Sequence, residues 1–254
     1  MTMRHSVIQF EKNTVRKTAD PKRMRIEVEK NRRAHEIGRS SGLFRVPQVL
    51  DYDEVKGEAV FERMRDVLPV RKTIVRPRPC MELVERIGRS LAVIHEQLDL
   101  PQEMVFPLPS EFAMPNNNVF LHGDYNIVNV CTAAGSPPLV VMDWQMTSQH
   151  GGQATYGSRY FDLLWFVNGM IWMPTVHCLY SDPVAMPAKV FLTAYFHEAR
   201  MGDENDNLSQ YAERLFSLKK PFRKQNSTWR NRFLLARCQW FTARFLKTLV
   251  REGR

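Results

Sequence analysis

The apolar positions of this 254-residue chain change their period along its length, and each change predicts an element. From Asn13 to Ala19 apolar and polar residues alternate, which predicts a strand with Val15 and Lys17 on one face, because strand side chains repeat every two residues. Over Ile26 to Gly38 the spacing turns helical, with Ile26, Glu29, Arg33 and Ile37 near one face. Val46 to Tyr52 and Glu58 to Met64 read as a strand pair split by Lys56-Gly57. Ile87, Leu91, Ile94 and Leu98 return to helical spacing, which makes that segment a core helix and His95 a buried, hydrogen-bonded histidine. An apolar lead-in then runs to Leu121, a short strand is expected at Val128 to Val130, a turn over Gly135 to Pro138 reverses the chain, and a second strand ends at Asp143.

The longest apolar stretch, Leu163 to Leu179, contains Asn168, Gly169, Pro174 and His177, so it predicts a buried helix with its exit loop and not a membrane span. Met201 to Asn207 reads as an exposed loop between helices. In Trp229 to Arg251 the apolar residues Trp229, Phe233, Ala236, Trp240, Ala243, Phe245 and Leu249 recur at roughly helical spacing, as in a closing helix. These elements add up to an α+β chain of two lobes. Residues 1–64 form a small strand-rich lobe with one helix, a hinge falls near Arg65 to Pro69, and residues 65–254 form a larger, mainly helical lobe, with Pro69, Pro77 and Pro79 marking the linker.

The second hairpin carries the chemistry. Its first limb reads His122-Gly123-Asp124-Tyr125-Asn126-Ile127-Val128-Asn129, its second ends on Asp143-Trp144, and the reversal brings Asn129 and Asp143 together. Phosphoryl transfer from a nucleoside triphosphate asks for metal to neutralise phosphate charge and a carboxylate to orient the attacking hydroxyl and accept its proton. Asp124 fits the carboxylate. Asn129 and Asp143 fit magnesium, a hard cation that takes oxygen ligands and keeps several waters. A single turn aspartate most often satisfies only local backbone; here loop, strand, turn and strand all agree with a site.

This block, H-G-D then four residues and Asn, followed by an apolar run into Asp-Trp, resembles the catalytic and metal loops of the aminoglycoside phosphotransferase and choline kinase superfamily, small-molecule relatives of the protein kinases. The resemblance implies a two-lobed protein-kinase-like fold, with a small antiparallel sheet ahead of the helical lobe. It implies ATP or GTP as co-substrate with magnesium, Asp124 as catalytic base, Asn129 and Asp143 as metal ligands, and His122 as a residue that orients the loop without donating protons. Tyr160-Phe161-Asp162-Leu163 matches a further signature whose Asp supports the backbone of the catalytic loop, and Ile87 to His95 matches the family's helix ending in an apolar residue and His. Lys17 would hold the α- and β-phosphates, steadied by a carboxylate of the next helix, with Glu29 the first choice and Glu27 the alternative. Backbone groups at Glu62 to Met64, the end of the hinge strand, would pair with the edge of adenine or guanine. An aminoglycoside, choline-like amine, amino acid or sugar is each compatible as acceptor, and the abbreviated front end leans toward bacterial cell-surface sugars. That front end departs from the family: only Ser6 to Phe10 and a Glu11-Lys12-Asn13 turn precede the lysine strand, and no glycine occurs before Gly38, so the hairpin over the phosphates is shortened or absent.

A net charge of +9 conceals an uneven distribution. Residues 1–45 hold 12 Lys/Arg against 5 Asp/Glu, residues 46–213 hold 12 against 21, and residues 214–254 hold 12 against 1, or +7, −9 and +11. A field of one sign steers the opposite charge, so the acidic middle favours a cationic or neutral acceptor over a polyanion. The basic ends leave two other readings open, a nucleic-acid-binding protein and peripheral contact of the carboxy-terminal helix with an anionic membrane. The short front end leaves a nucleotide-binding pseudokinase or scaffold open as well. Cys80, Cys131, Cys178 and Cys238 form no C-x-x-C pair, which suggests free thiols in a reducing compartment, and no charged-then-apolar leader opens the chain; a cytoplasmic location is expected. Gly38-Arg39-Ser40-Ser41-Gly42 spells the G-x-S-x-G of a hydrolase elbow, but that device needs a strand before its serine. Here a helix precedes it, and a glycine-terminated helix end is expected.

Overall fold

The computed structural model describes residues 6–74, 78–114, 117–133, 138–146, 153–172, 184–202, 204–217 and 229–252. In chain order the elements are β1 (Val7–Phe10), β2 (Thr14–Thr18), α1 (Pro21–Ser41), β3 (Phe44–Arg45), β4 (Val49–Asp53), β5 (Glu58–Glu62), β6 (Val67–Pro69), α2 (Arg71–Ile74), α3 (Met81–Gln97), β7 (Asn118–Phe120), β8 (Val130–Ala133), β9 (Leu139–Val141), β10 (Tyr156–Ser158), α4 (Tyr160–Trp172), α5 (Ala185–Glu198), α6 (Asn205–Ser217) and α7 (Trp229–Glu252). Residues 135–137 of the expected turn and 173–179 of the expected exit loop lie outside the described residues.

The first sheet is antiparallel, in the order β1-β2-β5-β4. Lys17 stands opposite Ile8 on one side and Ala59 on the other, so the three side chains share a face. Helix α1 covers part of that face by packing Met24 and Val28 on Ala59 and Phe61. It begins five residues before the stretch that periodicity marks, because the Asp20 carboxylate accepts the amide of Arg23 and Pro21 suits the first helical position. It stops where Gly42 adopts a φ of 66° and its amide bonds to the Gly38 carbonyl. The G-x-S-x-G segment is therefore a helix end, as expected.

A second sheet, in the order β3-β9-β8-β6, carries the hairpin that ends on Asp143. Phe44 and Arg45 pair in parallel with Leu139 and Val140, so a strand from within the first 64 residues joins the sheet of the hairpin. The expected hinge segment supplies β6, which pairs with β8. Behind this sheet lies the larger core, where Ile87, Leu91 and Ile94 of α3 and Leu163, Leu164, Phe166 and Val167 of α4 are fully buried. Helix α7 closes against α4 and α6 through Thr242, Phe245, Leu246 and Leu249. That stripe places Trp240 on the opposite side of the helix, where it is exposed beside Arg244 and not part of the buried face its spacing suggested. Among the described residues no helix is long and apolar enough to cross a membrane.

Candidate active site

Val130 faces Val141 across the β8–β9 pair, and the Met142 amide donates to the Asn129 carbonyl at 3.0 Å, so Asn129 and Asp143 occupy the same end of the hairpin. The strand starts at Val130 and not at Val128. Asn126 Oδ1 accepts the amides of Val128 at 2.8 Å and Asn129 at 3.1 Å, which folds residues 126–129 into a turn ahead of the strand. Beyond β9, Asp143 takes a left-handed conformation with φ 57°, at a cost on the order of 1 kcal/mol for a residue with a Cβ. Its Oδ1 accepts from Lys17 Nζ at 2.9 Å.

The loop before the turn is held by its backbone. Asp162, in the first turn of α4, accepts the His122 amide at 2.8 Å on one oxygen and the Gly123 amide at 2.9 Å on the other, and His95 Nε2 lies 3.1 Å from the first. His95 is buried, with Tyr195 Oη 2.7 Å from its Nδ1. Burial alone would raise the Asp162 carboxyl, but the hydrogen bond and charge of His95 hold it below the usual carboxylate range. From the opposite side Lys30 of α1, only 1% exposed, donates to the His122 carbonyl at 2.6 Å. Burial lowers the Lys30 pKa to about 8. Gly123 has a φ of 89°, and a Cβ there would meet Met146 Sδ at 2.5 Å, so no other residue fits without moving that side chain. His122 Nδ1 accepts the Asp124 amide at 3.2 Å, which leaves the proton on Nε2. Burial, then the Lys30 charge, push its pKa to about 3, so the ring is neutral.

The Asp124 carboxylate accepts from Trp165 Nε1 at 2.6 Å, Asn126 Nδ2 at 2.9 Å and Asn129 Nδ2 at 2.8 Å. Burial raises its pKa to about 6 against the lowering effect of the Trp165 bond, so it is ionised at neutral pH with appreciable basicity. Neither a family model nor a curated protein matches the chain in sequence. Solved structures match in shape: a choline/ethanolamine kinase family protein from Mesorhizobium loti aligns with a TM-score of 0.59 at 13% identity, over 98% of this chain and 90% of that one. The chain shares the fold of that kinase family protein.

Two further structures share this kinase-like fold. A glucosamine kinase bound to glucosamine, ADP and inorganic phosphate aligns with a TM-score of 0.57 at 12% identity, over 98% of this chain and 81% of that one. An APH(2″) phosphotransferase in a GDP and kanamycin complex aligns at 0.56 and 10% identity, over 100% and 95%.

Within the kinase-like fold the partner of Lys17 is Glu27, at 2.7 Å, and not Glu29, which pairs with Arg33 at 2.6 Å. The reason is helix phase. Met24, Glu27, Val28 and Asn31 form the buried stripe at positions i, i+3, i+4 and i+7, and Glu29 lies off it. Burial disfavours the Lys17 charge, but Glu27 and Asp143 together raise its pKa, so it is a firmly charged ammonium. Replacing Glu27 by Ala is expected to cost about 3 kcal/mol, the low end for breaking a buried ion pair because Asp143 remains. Replacing Glu29 by Ala is expected to cost ~0.5 kcal/mol or less, as for an i,i+4 pair at the surface. Thermal melts of the two variants check the order, and equal losses would overturn it.

At the expected hinge the Glu62 amide is taken by the Gln48 carbonyl at 2.8 Å and the Arg63 amide by the Asn13 carbonyl at 3.0 Å, while the Met64 amide makes no backbone hydrogen bond among the described residues. The side chains of Arg63 and Arg65 donate to the carbonyls of Glu11 and Lys12, which ties the short β1–β2 turn to the hinge. Cys131 is fully buried and its thiol is pushed up to about 11, which suits packing and not nucleophilic chemistry. Three residues that hold the loop are not singled out by the sequence: Lys30 of α1, Asn126 within the loop segment itself, and Trp165 in the apolar run.

Proposed function

We propose that this protein is a magnesium-dependent phosphotransferase that moves the γ-phosphoryl group of ATP or GTP to a hydroxyl of a small molecule of the sugar, aminoglycoside or amino-alcohol type. The observation that carries this reading is the hairpin that sets two clusters at one end, Lys17 with Glu27 and Asp143 in one and Asp124 with Asn129 in the other, on a fold shared with small-molecule kinases. The ADP and GDP in related structures support a nucleotide co-substrate. Residues 1–64 and 65–254 are taken as the two lobes, and the cytoplasm as the location. The acidic middle of the chain favours an acceptor that is not an anion.

Asn129 and Asp143 fit magnesium by their donor atoms. Asn129 spends its amide nitrogen on the Asp124 carbonyl at 3.0 Å and carboxylate at 2.8 Å, which turns Oδ1, without a partner among the described residues, the other way. Asp143 gives one oxygen to Lys17 and retains the other. Two hard oxygens match an ion that keeps waters and shares phosphate oxygens; among the described residues no group of three or more acidic, His or Cys side chains offers a full cage. The ion supplies charge neutralisation at the phosphates. Lys17 anchors phosphate oxygens, and the Met64 amide, without a backbone partner among the described residues, bonds a base edge. Ile8 and Phe10, exposed on the Lys17 face of the sheet, offer an apolar ceiling for that base. The acceptor oxygen forms its bond to the γ-phosphorus as the bond to the β–γ bridging oxygen breaks. The nucleoside diphosphate leaves with that electron pair, and the hydroxyl proton passes to Asp124.

At nucleotide concentrations about 100-fold above Kd, magnesium and nucleotide together should stabilise the wild type by about 2.7 kcal/mol. Asp143→Ala is expected to lose the magnesium-dependent share of that gain. Thermal shift with ATP, GTP and neither, with and without magnesium, measures it; an equal gain in wild type and variant would remove Asp143 from the metal site.

A further inference from the structure

Asp124 carries two oxygens, and the donors around it treat them differently. Oδ1 accepts both Trp165 Nε1 at 2.6 Å and Asn126 Nδ2 at 2.9 Å. Oδ2 accepts Asn129 Nδ2 at 2.8 Å and no other donor among the described residues. A carboxylate oxygen has two lone pairs, so Oδ1 is filled and Oδ2 retains one. Neither donor to Oδ1 is loose. Asn126 has its own carbonyl oxygen occupied by the amides of Val128 and Asn129, and the Trp165 ring lies parallel to Phe161, which is buried, with an interplanar angle of 8°. Trp165 also stands one turn beyond Asp162 on α4, so one helix fixes the backbone of the catalytic loop and the orientation of its carboxylate.

We infer that Trp165 is a positioning residue for phosphoryl transfer: with Asn126 it fills Oδ1 of Asp124 and leaves Oδ2, on the Asn129 side, as the atom that receives the acceptor hydroxyl. This rests on the phosphotransferase reading above. Rotation of the carboxylate would surrender the two bonds on Oδ1, so the base is aimed before the acceptor arrives. The aim falls toward Asn129, where the phosphates would be held.

Trp165→Phe keeps the ring and removes the N–H. Turnover is read as magnesium-dependent hydrolysis of ATP or GTP, with water as acceptor. The kcat is expected to fall about 10- to 100-fold, the effect of one hydrogen bond to a charged group, with nucleotide KM and Tm close to wild type. Trp165→His, which retains a ring N–H, should recover part of the loss, and Trp165→Phe should add nothing in an Asp124→Asn background. A merely structural role would produce neither result. Independently of activity, the indole N–H resonance of Trp165 in nitrogen-15-labelled protein, assigned through bonds, should move in Asp124→Ala. An unmoved resonance, or a Trp165→Phe enzyme with wild-type kcat, would reduce Trp165 to packing and leave the kinase reading standing. A wild type that neither binds nor hydrolyses nucleotide, in a protein whose indole resonance does respond to Asp124→Ala, would overturn the kinase reading and with it the transfer role, while the hydrogen bond itself stood.

Discussion

Asp124→Asn is expected to reduce phosphoryl transfer by about 10²- to 10⁴-fold, the usual worth of a positioned general base, and to leave nucleotide binding intact. The substitution preserves shape and removes basicity. Its amide oxygen can still accept from Trp165 and Asn126, but its amide nitrogen then faces Asn129 Nδ2, donor against donor, and that bond is lost at about 1 kcal/mol. Burial works against the ionised Asp124, so neutralising it offsets the loss, and Tm should stay near the wild-type value. Transfer or hydrolysis assays beside magnesium-nucleotide thermal shifts separate the two effects. Near-normal turnover in Asp124→Asn would assign the base elsewhere, and a parallel collapse of nucleotide binding would make Asp124 part of the phosphate site.

Asp162→Ala should be the most destabilising single change in the site. It strips the partner from two buried backbone amides, His122 and Gly123, and from the buried His95 ring, and each stranded polar group costs about 1–3 kcal/mol. Release from burying a carboxylate returns part of this, which leaves a net loss of roughly 3–5 kcal/mol. For a chain of this size that corresponds to a fall in Tm of roughly 10 °C or more. Asp162→Asn keeps one acceptor oxygen and should fall between. Thermal melts decide it. A Tm unchanged in Asp162→Ala would mean that the loop backbone finds other acceptors, and the clamp described here would be incidental.

Much of the candidate site was legible because its members are close in the chain. His122 to Asn129 and Asp143 are joined by one hairpin, and Asp162 follows soon after in a helix whose apolar residues announce it. His95 likewise declared itself a buried, hydrogen-bonded residue through its place on an apolar helix face. Asn129 belongs to a turn and not to a strand because Asn126 competes for backbone amides, which apolar spacing does not register. Trp240 fell outside the buried face of its helix because the stripe through Thr242, Phe245, Leu246 and Leu249 fixes a different phase.

The sequence by itself determined the α+β character and the donor atoms brought to one hairpin, since these depend on local periodicity, turn chemistry and short-range spacing, and its motifs implied the two-lobed kinase-like fold through their resemblance to a known family. Only the tertiary structure decided that Lys17 pairs with Glu27 and not Glu29, that Lys30 of the first helix holds the His122 carbonyl, and that Trp165 fills one oxygen of Asp124. Each of these turns on the phase and approach of a helix against a distant segment. That is set by which side chains pack between them, Met24 and Val28 on Ala59 and Phe61 in one case and Phe161 beneath Trp165 in another, and no residue spacing within a single element encodes it.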